Sequence, residues 1–251
     1  MSIYYSDADV TLHHGRMEDV LPTLADGSID AVITDPPYNV STRNGRDGTT
    51  PGRLLRKDGT SRKVQRDFGE WDRTWMPGPF LEHTSRLLRP GGSLVAFTSE
   101  FLIGDYMLSG LNHRNLIYWR KTNPTPAFPQ LYVRAVEMAV WQVQGKTPWV
   151  WNGGGYVQNV YTGPVVSGFR CANGETRVHP NQKPLWLMRS LIDQHTEPSS
   201  LIVDPFAGSG STLAAAKYSG RRCLGVELDE SYCEKAAERL AQDVLDFGGA
   251  A

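Results

Sequence analysis

A carboxylate, two prolines and an aromatic ring follow one another at the end of a β-branched stretch. The run Ile29–Ile33 is short and mostly apolar, which predicts a buried parallel strand. Two consecutive prolines end such a strand, because neither can donate a backbone hydrogen bond. The resulting corner lies at the carboxyl end of a strand, where open α/β sheets bind their ligands. Its residues are Asp35, Pro36, Pro37 and Tyr38.

This corner could grip a planar base. A carboxylate and a free backbone carbonyl accept the hydrogens of an exocyclic amine, while the ring of Tyr38 can stack on the face of the base. The alternative is an ordinary strand-ending turn, in which Asp35 caps the turn and Tyr38 joins the core. A second motif, further along the chain, favours the first interpretation.

A glycine-rich turn follows a second apolar run, Leu201–Val203. Gly208 and Gly210 allow the backbone to approach a ligand closely, and the amino end of the next helix offers free N–H groups. Glu227 ends the following predicted strand, 17 residues after Gly210, where an acid can accept both ribose hydroxyls. These features together predict a nucleoside site.

The details of the turn select among nucleoside cofactors. A dinucleotide site normally has a third glycine where this chain has Leu213, and the lysine of a triphosphate-binding loop is missing. Asp204 and Phe206 instead fit a cofactor with an amino-acid tail. S-adenosylmethionine has that shape.

Basic residues are concentrated in one segment of a chain whose net charge is −1. Between positions 43 and 66 lie eight basic residues and two acids, a net of +6 that leaves −7 for the rest of the chain. The stretch 40–72 has almost no apolar periodicity, which predicts a functional lid or a disordered loop. Its charge suits a phosphate backbone. The basic residues are Arg43, Arg46, Arg53, Arg56, Lys57, Arg62, Lys63 and Arg66.

Strands and helices alternate around these motifs, which predicts an α/β fold with a doubly wound, mostly parallel sheet. We predict strands at 10–14, 29–34, 93–98, 115–119, 136–143, 201–204 and 223–227. We predict helices at 18–24, 76–88, 101–111, 184–195, 213–219 and 230–245. Residues 146–177 do not continue this alternation of strands and helices and are predicted to form an irregular inserted lobe.

Composition narrows the class of protein. An apolar fraction of 40% and a charged fraction of 21% are those of a soluble globular protein. We expect no membrane association, since no apolar run is of membrane-spanning length. Cys171, Cys223 and Cys233 contain no CxxC pair, so we expect neither a disulfide framework nor a metal site, and a reducing, cytoplasmic location.

The motifs resemble those of the amino-DNA methyltransferases. The Asp35–Tyr38 segment matches their catalytic motif and the Phe206–Gly210 segment their cofactor motif, in the order found in the β class of that family. The His179–Pro184 segment also matches the stretch that precedes the cofactor strand in that class. The Leu88–Gly92 turn and the Trp119–Lys121 strand end follow in the expected order.

The resemblance implies a Rossmann-like sheet of seven strands with an inserted target-recognition lobe. It implies a catalytic half at 1–121, a hairpin and target-recognition insert at 122–178, and a cofactor half at 179–251. The implied cofactor is S-adenosylmethionine without a metal, and the implied partners are duplex DNA, a second copy of the chain and a cognate restriction endonuclease. The cofactor residues that it implies are Asp204, Phe206, Gly208, Gly210 and Thr212 around the methionine part, Glu227 on the ribose, and Asn181, Gln182 and Lys183 closing the pocket.

The implied reaction is methyl transfer to the exocyclic amine of a base rotated out of the duplex. Asp35 and the Pro36 carbonyl would accept the amine hydrogens while Tyr38 stacks on the base. Adenine N6 is the first choice, because in this family Asp at the first motif position is commoner for adenine and Ser for cytosine. Cytosine N4 is the alternative.

Other classes of protein stay open from the sequence alone. A dehydrogenase would leave the Asp-Pro-Pro-Tyr segment unexplained. A methyltransferase of RNA or protein glutamine would more often carry Asn at position 35 and would not need the basic loop. A catalytically silent DNA-binding subunit would not need intact motifs.

Overall fold

The computed structural model describes residues 1–38, 53–55, 61–63, 75–124, 132–166, 175, 177 and 182–241. The strands are β1 (Ser2–Ser6), β2 (Val10–His14), β3 (Ile29–Thr34), β4 (Arg53–Leu55), β5 (Ser61–Lys63), β6 (Leu88–Thr98), β7 (Asn112–Lys121), β8 (Val136–Val143), β9 (Val160–Gly163), β10 (Leu201–Asp204) and β11 (Arg222–Glu227). The helices are α1 (Met17–Val20), α2 (Pro77–Leu87), α3 (Ile103–Met107), α4 (Leu185–His195), α5 (Ser211–Tyr218) and α6 (Glu230–Ala241), and a 3-10 turn at Leu21–Thr23 follows α1.

One large sheet organises the chain, with strand order β1-β2-β11-β10-β3-β6-β8-β7-β9. The run from β2 to β6 is parallel throughout, whereas β8 lies antiparallel to both of its neighbours. Helices cover both faces, so the fold is the predicted Rossmann-like, doubly wound α/β sheet. The parallel strands all point their carboxyl ends toward the same edge of the sheet.

The two faces of the sheet bury two separate cores because successive strand residues alternate between them. In β3, Ala31 and Ile33 join the core formed with α4, α5 and α6. Val32 joins the core formed with α1, α2 and α3, where Phe80 and Tyr106 are fully buried. Burial on both faces explains why β3 reads as a continuous apolar run and not as an alternating one.

The prediction of seven strands was wrong in number, since the sheet formed by the described residues has nine. The two additional strands lie at its edges: β1 pairs antiparallel with β2, and β9 pairs parallel with β7. Most residues of both strands are at least partly exposed, so neither carries the apolar pattern that identifies a buried strand. Strand β9 lies within the stretch predicted to be irregular.

Boundaries of other elements also differ from the predictions. Helix α3 has five residues where eleven were predicted, and Gly110, with a φ of +81°, lies in the turn beyond it. Helix α2 ends at Leu87 as the Pro-Gly-Gly stop indicated, but strand β6 begins at the next residue and includes that stop. The Pro-Gly-Gly sequence therefore predicts correctly where the helix ends, but its residues belong to the next strand and not to a loop.

The basic segment contains an antiparallel hairpin formed by β4 and β5. Arg53 lies opposite Lys63, and Leu54 lies opposite Arg62. The segment thus has more local structure than the loop predicted from its composition. Five of the basic residues lie outside the described residues: Arg43, Arg46, Arg56, Lys57 and Arg66.

Helices long and apolar enough to cross a membrane are absent from the part of the chain that the structure describes.

Gly91 provides a test of the packing around β6. It has a φ of +79°, and a Cβ there would lie 2.3 Å from the carbonyl oxygen of Pro148. Gly91→Ala should therefore lower the free energy of unfolding by about 1–3 kcal/mol in urea titrations. Gly78→Ala is the control, because a Cβ there meets nothing within 4 Å. Equal unfolding midpoints for the two variants would contradict this account of the turn.

Candidate active site

The Asp-Pro-Pro-Tyr corner directly follows β3 at the carboxyl edge of the sheet. Pro36 is buried, while Asp35, Pro37 and Tyr38 are half-buried. The hydroxyl of Tyr38 donates a hydrogen bond to Oδ1 of Asp35, and its ring packs against the core on the α4 side. The corner is thus an ordered unit in which one oxygen of the carboxylate is already bound.

Strand β10 brings the second motif next to this corner. It pairs in parallel with β3, so that Val203 lies opposite Val32. The hydroxyl of Thr34 then donates a hydrogen bond of 2.6 Å to Oδ1 of Asp204, 170 residues away along the chain. The two predicted motifs therefore meet side by side at one edge of the sheet.

The glycine-rich turn after β10 is held in a conformation that depends on its glycines. Gly208 and Gly210 have φ values of +51° and +75°, a region that side-chain-bearing residues rarely adopt. A Cβ on Gly210 would lie 3.0 Å from the Cβ of Ala236, so this glycine also lets α6 pack closely. A Cβ on Gly208 would meet open space, which leaves room for a ligand against the backbone.

Two acids flank the turn, Asp204, which is buried, and Glu227, which is half-buried. The backbone N–H of Gly208 donates to Oε2 of Glu227 at 2.7 Å, and the N–H of Phe206 donates to Oδ1 of Asp204 at 3.1 Å. Burial raises the pKa of Glu227 above its ordinary value. Burial also raises the pKa of Asp204, to about 6, against the opposing hydrogen bonds from Thr212 and Thr34. Both carboxylates would gain from a cationic or hydroxyl-bearing ligand.

An ionic cluster surrounds Asp35. The ammonium group of Lys183 lies 2.5 Å from Oδ2 of Asp35, 3.1 Å from Oε2 of Glu137 and 3.2 Å from the hydroxyl of Tyr38. Lys121 lies 2.5 Å from the other oxygen of Glu137. Signs therefore alternate along Asp35, Lys183, Glu137 and Lys121, and the four formal charges sum to zero.

The pKa values in this cluster follow from burial and neighbouring charges. Burial raises the pKa of Asp35, and Lys183 opposes that rise without cancelling it. Burial would also raise the pKa of Glu137, but Lys183 and Lys121 outweigh it and lower the pKa. For Lys183, Asp35 and Glu137 outweigh burial and raise the pKa. Lys183 is thus held in its charged form.

The residues expected to close the cofactor pocket have other contacts in this structure. Lys183 binds Asp35, and the side-chain amide of Gln182 donates to Oε1 of Glu175 at 2.9 Å. Asn181 lies outside the described residues. Glu175 also accepts a hydrogen bond of 2.6 Å from Arg239, which donates in turn to the hydroxyl of Ser211 at 3.1 Å.

Sequence reasoning missed Glu137, Glu175 and Arg239. Glu137 offered one signal, because an acid inside the mostly apolar strand β8 requires a buried partner. Glu175 and Arg239 offered none, since each lies in a polar stretch with no motif. Long-range contacts of this kind become visible only in three dimensions.

Comparison with known proteins decides the family. The DNA methylase family, which covers N6 and N4 methyltransferases, matches residues 29–238. The chain belongs to this family. It is 28% identical to the type II methyltransferase M2.DpnII of Streptococcus pneumoniae, over 94% of this chain and 91% of that protein. It is 29% identical to M.HinfI of Haemophilus influenzae, over 92% of this chain and 68% of that protein.

Solved structures agree with this membership in the DNA methylase family. A complex of M1.HpyAVI with S-adenosylmethionine superposes with a TM-score of 0.64 at 27% identity, covering 92% of this chain and 99% of that one. The cytosine-N4-specific PvuII methyltransferase superposes with a TM-score of 0.71 at 17% identity, covering 97% and 90%. The second likeness shows a shared fold.

Membership in the DNA methylase family confirms the predicted enzyme class and the predicted cofactor, S-adenosylmethionine. The glycine turn fits this cofactor, since it combines open space at Gly208 with an acid on either side. Within the described ranges, no group of three or more His, Cys, Asp or Glu side chains could hold a metal ion.

The raised pKa of Asp204 predicts how stability changes with pH. Its folded pKa of about 6 lies above the unfolded value of about 3.9, so the folded state binds more protons between these values. The stabilising contribution is present below about pH 4 and is lost as the pH rises through about 6. Asp204→Asn should therefore gain stability relative to wild type between pH 4 and pH 7, by on the order of 1–3 kcal/mol in urea unfolding.

Asp7 supplies a control of opposite sign. Its hydrogen bonds, above all that from Lys217, outweigh burial and hold its pKa below the ordinary value. Its stabilising contribution is therefore present above the unfolded pKa of about 3.9 and is lost as the pH falls below that value, so Asp7→Asn should lose more stability at about pH 7 than at about pH 2. Parallel pH profiles for the two variants would rule out the electrostatic account of Asp204.

Proposed function

We propose that this DNA methyltransferase transfers a methyl group to the N6 amine of an adenine rotated out of duplex DNA. The observation that carries the proposal is the meeting of the Asp35–Tyr38 corner with the glycine turn of β10 at one edge of the sheet. Adenine is favoured over cytosine by Asp at position 35, through the resemblance to the amino-DNA methyltransferases.

Asp35 and Pro36 have the chemistry to hold the target amine. A carboxylate oxygen and a backbone carbonyl each accept one amine hydrogen, which turns the nitrogen lone pair toward the cofactor. The same two acceptors stabilise the positive charge that develops on nitrogen during transfer. S-adenosylmethionine would supply an electrophilic methyl group when bound and would leave as S-adenosylhomocysteine, while the methylated amine gives up one proton. The target nitrogen would attack the methyl group directly, with no covalent enzyme intermediate. The protein would therefore contribute to catalysis mainly by positioning the two reactants.

Tyr38 and Pro37 complete the base pocket in this proposal. The phenol ring next to Asp35 provides a stacking surface worth about 1–3 kcal/mol per base. Its hydroxyl is bound to Asp35, so ring and carboxylate form one unit. Because Pro36 and Pro37 restrict the backbone, they fix the position of the Tyr38 ring relative to the end of β3.

The cofactor half carries the remaining assignments. We propose that Asp204, Phe206, Gly208, Gly210 and Thr212 surround the methionine part and that Glu227 holds the ribose. Gln182 and Asn181 would close the pocket from the segment before α4. The positions of Asp204 and Glu227 on either side of the glycine turn support this assignment.

The basic hairpin would bind the phosphate backbone. Arg53, Arg62 and Lys63 lie on strands β4 and β5, so three basic residues belong to one short hairpin. Residues 122–178 would supply the target-recognition lobe between the catalytic half, 1–121, and the cofactor half, 179–251. A homodimer, a cognate restriction endonuclease and a cytoplasmic location complete the proposal.

Replacing Asp35 tests the catalytic assignment. Asp35→Ala should lower methyl transfer to mixed-sequence duplex DNA by at least about 100-fold, because one acceptor of the amine is removed. Nucleoside mass spectrometry should find N6-methyladenine with the wild type, and calorimetry should find S-adenosylmethionine binding nearly unchanged in the variant. Equal losses of transfer and cofactor binding would refute the role of Asp35. N4-methylcytosine would overturn the choice of base.

Salt titration tests the hairpin. With Arg53, Arg62 and Lys63 all replaced by Gln, the slope of log affinity against log salt should fall by about 0.9 for each phosphate that the protein no longer neutralises. Arg189→Gln, an exposed substitution on α4, is the control. A slope that stays at the wild-type value would exclude the hairpin from the DNA interface.

A further inference from the structure

Lys183 is a buried lysine that the proposed mechanism does not use. Only 5% of its side chain is exposed, and its ammonium group has three N–H donors. The structure places three oxygen atoms around them, on Asp35, Glu137 and Tyr38. The ammonium group also lies 4.7 Å from the centre of the Phe97 ring. A buried cation in contact with the proposed amine acceptor affects both the ionisation and the orientation of that acceptor.

We propose that Lys183 is a positioning residue for methyl transfer, which keeps the Asp35 carboxylate ionised and fixed in place, and that Glu137 holds Lys183 there. The inference rests on the proposed role of Asp35 as an acceptor of the amine. It differs from the role in cofactor binding that the resemblance implied for Lys183.

Lys183 supplies the positive charge that balances two neighbouring acids. Asp35 and Glu137 are two carboxylates that share one buried cation, and two carboxylates in one site do not both ionise readily. Lys183 bridges them, at 2.5 Å from the first and 3.1 Å from the second. Without this ammonium group, burial and the charge of Glu137 would both favour protonation of Asp35.

The other titratable groups near Asp35 do not replace this cation. Tyr38 donates to Asp35 from the same corner, and Lys121 on β7 contacts Glu137. Tyr106 on α3 is neutral, since burial raises its pKa, and Asp204 at the end of β10 is a nearby carboxylate that brings no positive charge. Among the residues that the structure describes, Lys183 is the cation in direct contact with Asp35.

Methyl transfer depends on the protonation state of Asp35. An ionised carboxylate only accepts hydrogen bonds, whereas a protonated one carries a donor that would face the amine hydrogens. Transfer therefore requires the ionised form of Asp35, and any group that sets its pKa sets the lower pH limit of activity. Lys183 and Tyr38 each bind one oxygen of Asp35, which also restricts rotation of the carboxylate.

Glu137 fixes the position of Lys183. Lys121 binds its other oxygen at 2.5 Å, so Glu137 is itself fixed by two cations. A fixed Glu137 restricts Lys183, whose long side chain would otherwise have several rotamers available. The pair thus transmits the rigidity of strands β7 and β8 to the Asp35 corner.

The kinetic test compares Lys183→Met with wild type in single-turnover methyl transfer across pH. We expect the acid midpoint of the rate profile to move upward by about one pH unit or more, because Asp35 loses its cation. Dissociation of S-adenosylmethionine, measured by calorimetry, should change by less than about threefold, since the proposed role is not in cofactor binding. Lys217→Met is the control, because it removes a lysine paired with an aspartate elsewhere, Asp7 at 2.6 Å.

A double variant keeps the test decisive if Lys183→Met alone destabilises the site. Lys183→Met/Glu137→Gln also removes the neighbouring negative charge, so its acid midpoint should return toward the wild-type value. A cofactor dissociation constant that rises in step with the loss of rate, at an unchanged pH profile, would overturn the proposal in favour of cofactor binding.

A measurement without DNA separates this inference from the proposed function. Carboxyl ¹³C resonances of labelled aspartate report the pKa of Asp35 directly, with Asp35→Asn as the assignment control. The pKa should be higher in Lys183→Met than in wild type, and equal values would refute the proposal. If the wild type modifies no DNA, the proposed function fails, while this titration still decides whether Lys183 controls Asp35.

Discussion

The parallel pairing of β3 with β10 is the constraint on which the rest of the site depends. Each strand ends in a turn that is proposed to act in methyl transfer, and because parallel strands point the same way, the two turns meet at one edge. The hydrogen bond from Thr34 to Asp204 ties the strand ends together at 2.6 Å. The proposed amine acceptor and the cofactor turn are therefore placed by the sheet itself, with no need for a flexible connection between them.

The ionic cluster is an unusual use of buried space. Removing Asp35, Lys183, Glu137 and Lys121 from water costs free energy that their mutual attraction does not reliably return. An apolar cluster of the same volume would serve stability as well or better. The alternating signs and the short contacts between opposite charges reduce this free-energy cost. A cluster of this kind is expected where charged groups are kept for their chemistry and not for stability.

Sequence reasoning worked where a local rule and the tertiary structure agree. The strand 29–34, the proline corner and the glycine turn are dictated by apolar runs and by backbone limits of proline and glycine, and they were predicted with correct positions. Edge strands β1 and β9 were missed because partial exposure removes the apolar pattern on which strand prediction relies. The partners of Lys183 could not be predicted, since Asp35 is 148 residues away and no local pattern links the two.

The distance along the chain between the residues of this site bears on how the protein folds. The Asp35–Lys183 and Thr34–Asp204 contacts join residues 148 and 170 positions apart. Closing such a long loop costs conformational entropy before the contact can stabilise the chain. Contacts of this range therefore slow folding, and they form after the local helices and turns. Lys183 and Asp35 are both hydrated in the unfolded chain and must lose water together. The ionic cluster is thus expected to form when the sheet closes, at the end of folding. A partly folded chain would therefore lack the assembled site.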